Sequence, residues 1–190
     1  MARWEPNARE RLLFAAVALF AEQGYDSTTV AQIAERAGLT KTTFFRHFPD
    51  KREVLFAGQA VHAQLLADGI AAAPGPATPL EAVAAGLDAL AASLTPEQRE
   101  LGPRIQAVIA GNPELQERAV FKSAALTEAM TQALLKRSVP DLDATLAANL
   151  GVLAFHRASD RWIEPSGRRP LTELAREELD HLRTAGAALS

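Results

Sequence analysis

The tightest constraint on this chain lies at Gly38-Leu39-Thr40, three residues between two short helical patterns. A glycine can take φ > 0 just past a helix end, and a threonine hydroxyl can cap the helix that follows. Two helices joined by so short a turn, with glycine in it, form a helix-turn-helix unit. The second helix must itself be short, from about Lys41 to His47, because Pro49 forbids its continuation. At about 100° per residue, Phe44 and Phe48 share the side turned to a core. Thr42 and Arg46 lie opposite, with Thr43 beside them. A face exposed only to solvent more often carries Glu, Lys or Ala, the stronger helix formers. Two threonines and an arginine can instead reach base edges and phosphates.

The remaining chain reads as helical throughout, so an all-α fold of about nine helices is expected. Leu13, Ala16, Val17 and Phe20 form one apolar stripe on a helix from Asn7 to Gln23. Ser27 and Thr28 are the expected caps of a second helix, which carries Val30, Ile33, Ala34 and Ala37. Asp50 is placed to cap a long helix reaching about Ala72, with Glu53 in capping-box spacing. Ala71 to Pro79 holds three prolines and a glycine and reads as a loop. Further helices are expected at 80–94 behind Thr78, at 96–110, at 113–137, at 142–162 and at 171–189. The third-last of these segments follows a helix that Gly102-Pro103 should break. In the helix at 142–162, Leu142, Leu146, Leu150 and Leu153 are the apolar set. In the last helix Leu171, Leu174, Leu182 and Leu189 lie on or near one face. Pro165 and Gly167 separate the two.

The chain has 190 residues, 48% of them hydrophobic, enough for one large or two small domains. It contains no cysteine, which excludes disulfides and thiolate metal sites and fits a reducing compartment. MARWEPNARER has no apolar run ahead of a cleavage signal, so no secretory peptide is expected. No uninterrupted apolar stretch has the roughly 18 residues that suggest a membrane span. Net charge is −3, with 8 Lys+Arg and 8 Asp+Glu in residues 1–73 and 12 and 15 in residues 74–190. A nucleic-acid surface must therefore be local, drawn from Arg3, Lys41, Arg46, Lys51 and Arg52.

Catalytic and metal chemistry find no support. His62 and His156 lack HxxE or HxxxH spacing, and ordinary polar or core histidines are the better reading. Asp141 and Asp143 suit a helix start, where acids favour the dipole. The Arg168-Arg169 pair reads as a solvated loop. No P-loop, dinucleotide glycine motif or nucleophile elbow is present. Neither an enzyme nor a resident cofactor is expected. The rival classes are three: a ligand-responsive DNA-binding repressor, a helical enzyme, for which no acid-base pair or metal motif speaks, and a helical interaction module without DNA binding.

The stretch Phe20 to Leu55, FAEQGYDSTTVAQIAERAGLTKTTFFRHFPDKREVL, resembles the DNA-binding domain of the TetR family of bacterial transcriptional regulators. The spacing of Gly24-Tyr25, Thr28-Thr29-Val30, Ile33-Ala34, Ala37-Gly38 and Phe48-Pro49-x-Lys51 carries the resemblance. It covers about the first 56 residues and implies a DNA-binding domain at 1–56 and an effector-binding and dimerisation domain at 57–190. It implies that Thr42, Thr43 and Arg46 read the major groove, with Lys41 in the same basic surface. Thr29, Thr40, His47 and Lys51 would touch the DNA backbone, as would the free N–H groups of a helix starting at Asp50-Lys51. The family commonly has Tyr at the position of Phe45, which cannot make the phosphate contact of a phenol and is expected on sugar or a thymine methyl. The resemblance further implies a cytoplasmic homodimer on a palindromic double-stranded operator, joined through its last two helices. It also implies a small, largely apolar effector between the middle helices. His62, Leu66, Arg104, Gln106, Phe121 and Thr127 are the candidate effector contacts, the polar ones serving as handles in a greasy wall.

Overall fold

The computed structural model describes residues 7–164 and 169–189, all of it helix, turn or loop. These residues contain α1 (Ala8–Gln23), α2 (Val30–Arg36), α3 (Lys41–His47), a 3-10 turn (Arg52–Phe56) and α4 (Gln59–Ala72). There follow α5 (Pro79–Ser93), α6 (Pro96–Ala110), α7 (Pro113–Lys136), α8 (Asp141–Ile163) and α9 (Leu171–Ala187). Arg3, Pro165, Gly167 and Arg168, named above, lie outside the described residues.

The helix ends follow from local chemistry. Asn7 caps α1 by accepting from the Glu10 N–H. The cap of α2 is Thr29, not Ser27 or Thr28. Thr28 is instead buried, and its hydroxyl donates to the Gly24 carbonyl at 2.7 Å. Thr78 and Glu81 form a reciprocal capping box at the start of α5, which satisfies two helix-end donors. The break expected at Gly102-Pro103 is absent, and α6 runs through both residues. A proline ring disfavours helix in the preceding residue partly through that residue's Cβ, and Gly102 has none.

The long helix expected from Asp50 to Ala72 is divided. Asp50 does cap it, accepting from the Arg52 and Glu53 N–H groups, but only a 3-10 turn follows before α4 starts at Gln59. Residues 52–72 are, by length and mean hydropathy of 1.2 alone, apolar enough to cross a membrane. In the fold their apolar side chains serve cores: Val54, Leu55 and Phe56 in one, Leu66 and Ile70 in another.

Two compact units result, one of residues up to Gly58 with Leu101–Val120, the other of Gln59–Glu100 with Phe121 onward. In the first, Leu12, Ala16, Val17, Phe20, Ile33, Phe44, Phe48 and Val54 form a core that Leu101 and Leu115 complete. In the second, α4 and α5 cross closely. A Cβ on Gly69 would lie 2.7 Å from the Ala85 carbonyl oxygen, and one on Gly86 would lie 2.8 Å from that of Leu66. Arg137 closes the C-terminal end of α4, donating to the Ile70, Ala73 and Pro74 carbonyls at 3.2, 2.8 and 2.6 Å.

On α8 the apolar set faces mostly outward. Ala144, Ala147, Ala148, Gly151, Val152, Ala154 and Ala158 are buried, whereas Leu142, Leu146 and Leu153 are exposed and Leu150 is only partly buried. The small residues win the inner face because neighbouring helices come too close for leucine. A Cβ on Gly151 would sit 2.6 Å from Val83 Cγ1. On α9, Leu171 and Leu174 are core, Leu182 is partly buried, and Leu189 is exposed beyond the helix end.

Candidate nucleic-acid interface

The turn that presents α3 is fixed from three sides. Gly38 has φ of +64°, the left-handed region that disfavours a side chain. The Leu39 N–H bonds the Ala34 carbonyl at 2.8 Å and the Gly38 N–H bonds that of Glu35 at 2.9 Å, so the last carbonyls of α2 are satisfied in a Schellman pattern. From α1, the Arg11 guanidinium donates to the Ala37 carbonyl at 2.5 Å. Thr40 then starts α3, accepting from the Thr43 N–H at 3.1 Å. Phe44 and Phe48 are almost fully buried, with ring centroids 5.6 Å apart, and they anchor α3 to the core. No sequence pattern signals Arg11, because its partners are backbone carbonyls 26 and 27 residues away.

With that side anchored, the outward face of α3 is settled. Lys41, Thr42, Phe45 and Arg46 are exposed and Thr43 is half-buried. Thr42 and Arg46 are i,i+4 neighbours at the centre of the face. Phe45 flanks them, its ring edge-on to Phe44 at 5.5 Å, with the Lys41 ammonium 5.9 Å from its centroid. Thr43 is on the other flank, its hydroxyl 3.0 Å from that of Thr40. Thr29 is exposed at the start of α2, and its hydroxyl shares Gln32 Oε1 with its own N–H.

Three of the expected backbone contacts are arranged otherwise. Lys51 turns inward, donating to the Tyr25 carbonyl at 2.6 Å and the Thr28 carbonyl at 2.9 Å, with its ammonium 4.0 Å from the Tyr25 ring centroid. Desolvation there lowers its pKa, and the same burial pushes the Tyr25 phenol up to about 12. Two of the three ammonium donors are thus taken by the turn between α1 and α2. Second, the N–H groups after Asp50 are occupied by the Asp50 carboxylate itself, so they are not open to a phosphate. Third, His47 is half-buried beside Phe48, and its Nε2 is buried with no hydrogen-bond partner among the described residues. Arg52 is also spent, pairing with Asp50 at 2.7 Å and Glu114 at 3.0 Å; the Asp50 carboxylate raises its pKa. Among the described residues of the basic set expected from sequence, Lys41 and Arg46 stay turned to solvent.

The candidate effector residues divide between the two units. Arg104 and Gln106 belong to the first unit, and His62, Leu66, Phe121 and Thr127 to the second. Leu66 is packed core, and Phe121 is 62% exposed. Thr127 donates weakly to the Ser123 carbonyl of its own helix at 3.5 Å. His62 is half-buried, and desolvation lowers its pKa. Arg104 lines a surface groove of the first unit with Phe20, Tyr25 and Val108. A roomier groove of about 680 Å³ lies in the second unit, walled by Leu80, Ala84, Leu146, Leu150 and Leu179 and edged by Arg176 and Arg183. None of the six expected residues lines it. Among the described residues, no cluster of acidic or histidine side chains could hold a metal ion.

The model of the family described as "Bacterial regulatory proteins, tetR family" matches residues 12–57. The chain is 34% identical over 84 residues to the HTH-type transcriptional regulator TcmR of Streptomyces glaucescens, covering 44% of this chain and 37% of that protein. It is 36% identical over 62 residues to the HTH-type transcriptional activator FasR of Mycolicibacterium smegmatis, covering 33% of this chain and 28% of that one. The matched part thus spans 37% of the first relative's length and 28% of the second's. Among solved structures, SmeT, the repressor of the Stenotrophomonas maltophilia multidrug efflux pump SmeDEF, aligns in its complex with triclosan with a TM-score of 0.58. The alignment has 24% identity and covers 95% of this chain and 91% of that one. That likeness establishes a shared all-helical fold.

Proposed function

From the premise that its helix-turn-helix domain belongs to the TetR family of bacterial regulatory proteins, we propose that the chain is a sequence-specific transcriptional repressor. It binds a near-palindromic operator as a homodimer and leaves it when a small, largely apolar ligand binds the second unit. The observation that carries DNA binding is the face of α3: Thr42 and Arg46 at the centre and Lys41 and Phe45 on one flank, on a helix pinned from behind by Phe44 and Phe48. Arginine pairs bidentately with guanine and threonine bonds to base edges, so such a face suits a major groove. In this reading residues 1–56 bind DNA, and residues 57–190 hold the effector and the partner subunit. The exposed Leu142, Leu146 and Leu153 of α8 support dimerisation, since contiguous exposed leucine marks an interaction surface. The apolar walls of the α5/α8/α9 groove support a greasy ligand.

A gel shift over a range of salt tests the core of the proposal, with DNA from upstream of the chain's own gene against random duplex. A complex at least roughly 1,000-fold tighter on the upstream DNA is expected. Equal affinity for both would overturn sequence-specific regulation. Calorimetry of any ligand found by thermal shift, with and without operator, tests induction. Linkage requires the operator to weaken ligand binding by the factor with which the ligand weakens operator binding.

A further inference from the structure

We infer that Phe45 is a specificity-determining residue that selects a thymine through its C5-methyl group; this rests on the DNA-binding reading above and names what one flank of that face recognises. Phe45 is 48% exposed on a seven-residue helix, an apolar ring beside Thr42 and Arg46. Its position is defined by the edge-on contact with buried Phe44 and by the Lys41 ammonium 5.9 Å away. A phenyl ring donates and accepts no hydrogen bond, so a phosphate is a poor partner for it. The apolar feature that base edges present in the major groove is the thymine methyl, which apolar side chains contact. Lys41, one helical turn back on the same flank, is placed to meet the phosphate that borders such a base. The pair divides the work: the ammonium takes the backbone and the ring takes the base. The ring is not a core residue displaced outward, because Phe44 and Phe48 already fill the core beneath α3.

The experiment starts from full-length protein and duplexes selected in vitro from a random-sequence pool. Each thymine of a selected duplex is replaced singly by uracil, which removes the methyl and leaves the hydrogen-bonding pattern intact. Wild-type protein is expected to lose about fourfold in affinity at one thymine per half-site, the equivalent of one methyl group left unburied. The other uracils should be neutral. Phe45→Ala should bind parent and uracil duplexes alike, and Phe45→Leu should keep part of the difference. Both variants change an exposed side chain, and a melting curve matching wild type checks their fold. Wild-type affinity indifferent to every uracil would overturn the inference and show that the ring rests on sugar. A thymine-to-uracil loss that persists in Phe45→Ala would overturn it too, assigning the methyl to another side chain. A pool that enriches no sequence would overturn the DNA-binding reading and this inference with it.

Discussion

Arg46 and Lys51 are both cations of the helix-turn-helix region, one turned to solvent and the other bonded to main-chain carbonyls. Arg46 is exposed at the centre of the α3 face, so Arg46→Ala should cost about 1–3 kcal/mol at the operator and relax preference at one base pair. Titration against operator and random duplex checks this; equal loss on both would mean that Arg46 touches only phosphate. Lys51 holds the Tyr25 and Thr28 carbonyls together at the entry to α2. Replacing it strands two partly buried acceptors, which costs about 1–3 kcal/mol of stability. Lys51→Met should therefore lower the melting temperature while leaving the salt slope of DNA binding almost unchanged. A slope reduced by about one unit, with wild-type stability, would instead identify a phosphate contact. The family pattern around Phe48-Pro49-x-Lys51 was legible in the sequence, but the partners of Lys51 were not. They are main-chain oxygens 23 and 26 residues away, which no side-chain pattern marks.

Among the elements, the α4/α5 crossing and the face of α8 follow one rule: small residues go where backbones meet. Gly86→Ala would raise intrinsic helix propensity by about 1 kcal/mol. Yet the new Cβ would lie 2.8 Å from the Leu66 carbonyl oxygen and 3.0 Å from Ile70 Cγ1, and backbone cannot yield as a side-chain tip can. Net destabilisation of about 1–3 kcal/mol is expected from overpacking. Gly75→Ala, whose Cβ meets nothing within 4 Å, should change stability by less than about 0.5 kcal/mol. Denaturant unfolding of the two variants checks the contrast, and equal effects would mean that α4 and α5 are not packed this closely. The same crowding explains α8, where alanines and Gly151 point inward and Leu142, Leu146 and Leu153 point out.

At the scale of the whole molecule, the outward leucines of α8 and the half-buried His62 each carry a test, one of assembly and one of acid tolerance. Leu146→Asp places a charge on a residue that is 54% exposed, so the fold should persist. If α8 joins two copies, sedimentation at micromolar concentration should change from dimer to monomer, and operator affinity should fall with it. A wild-type protein that sediments as a monomer would remove dimerisation from the proposal. His62 has its pKa lowered from 6.5 by desolvation, so the folded state prefers the neutral ring. As pH falls through about 6.5 the unfolded chain takes up this proton first, and stability is lost below that point. His62→Gln should flatten the fall in melting temperature below pH 6.5; an unchanged acid limb would show that other groups control it.

What the sequence by itself determined was local. Gly38, the Thr40 and Thr78 caps, and the prolines after α3 and before α5 act within four residues of themselves, so the helix-turn-helix and the bounds of α3 and α5 could be read directly. Phe44 and Phe48 were legible as an anchor because one helical turn separates them. Only the tertiary structure decided which face of α8 is inside, since leucine and alanine stripes alternate on that helix and the space left by its neighbours chose between them. It also decided that the Lys51 ammonium and the Asp50 carboxylate serve the fold rather than an open anion site. Hydrophobic periodicity states that a helix has an apolar side; the distance to the next helix states which side chains fit there.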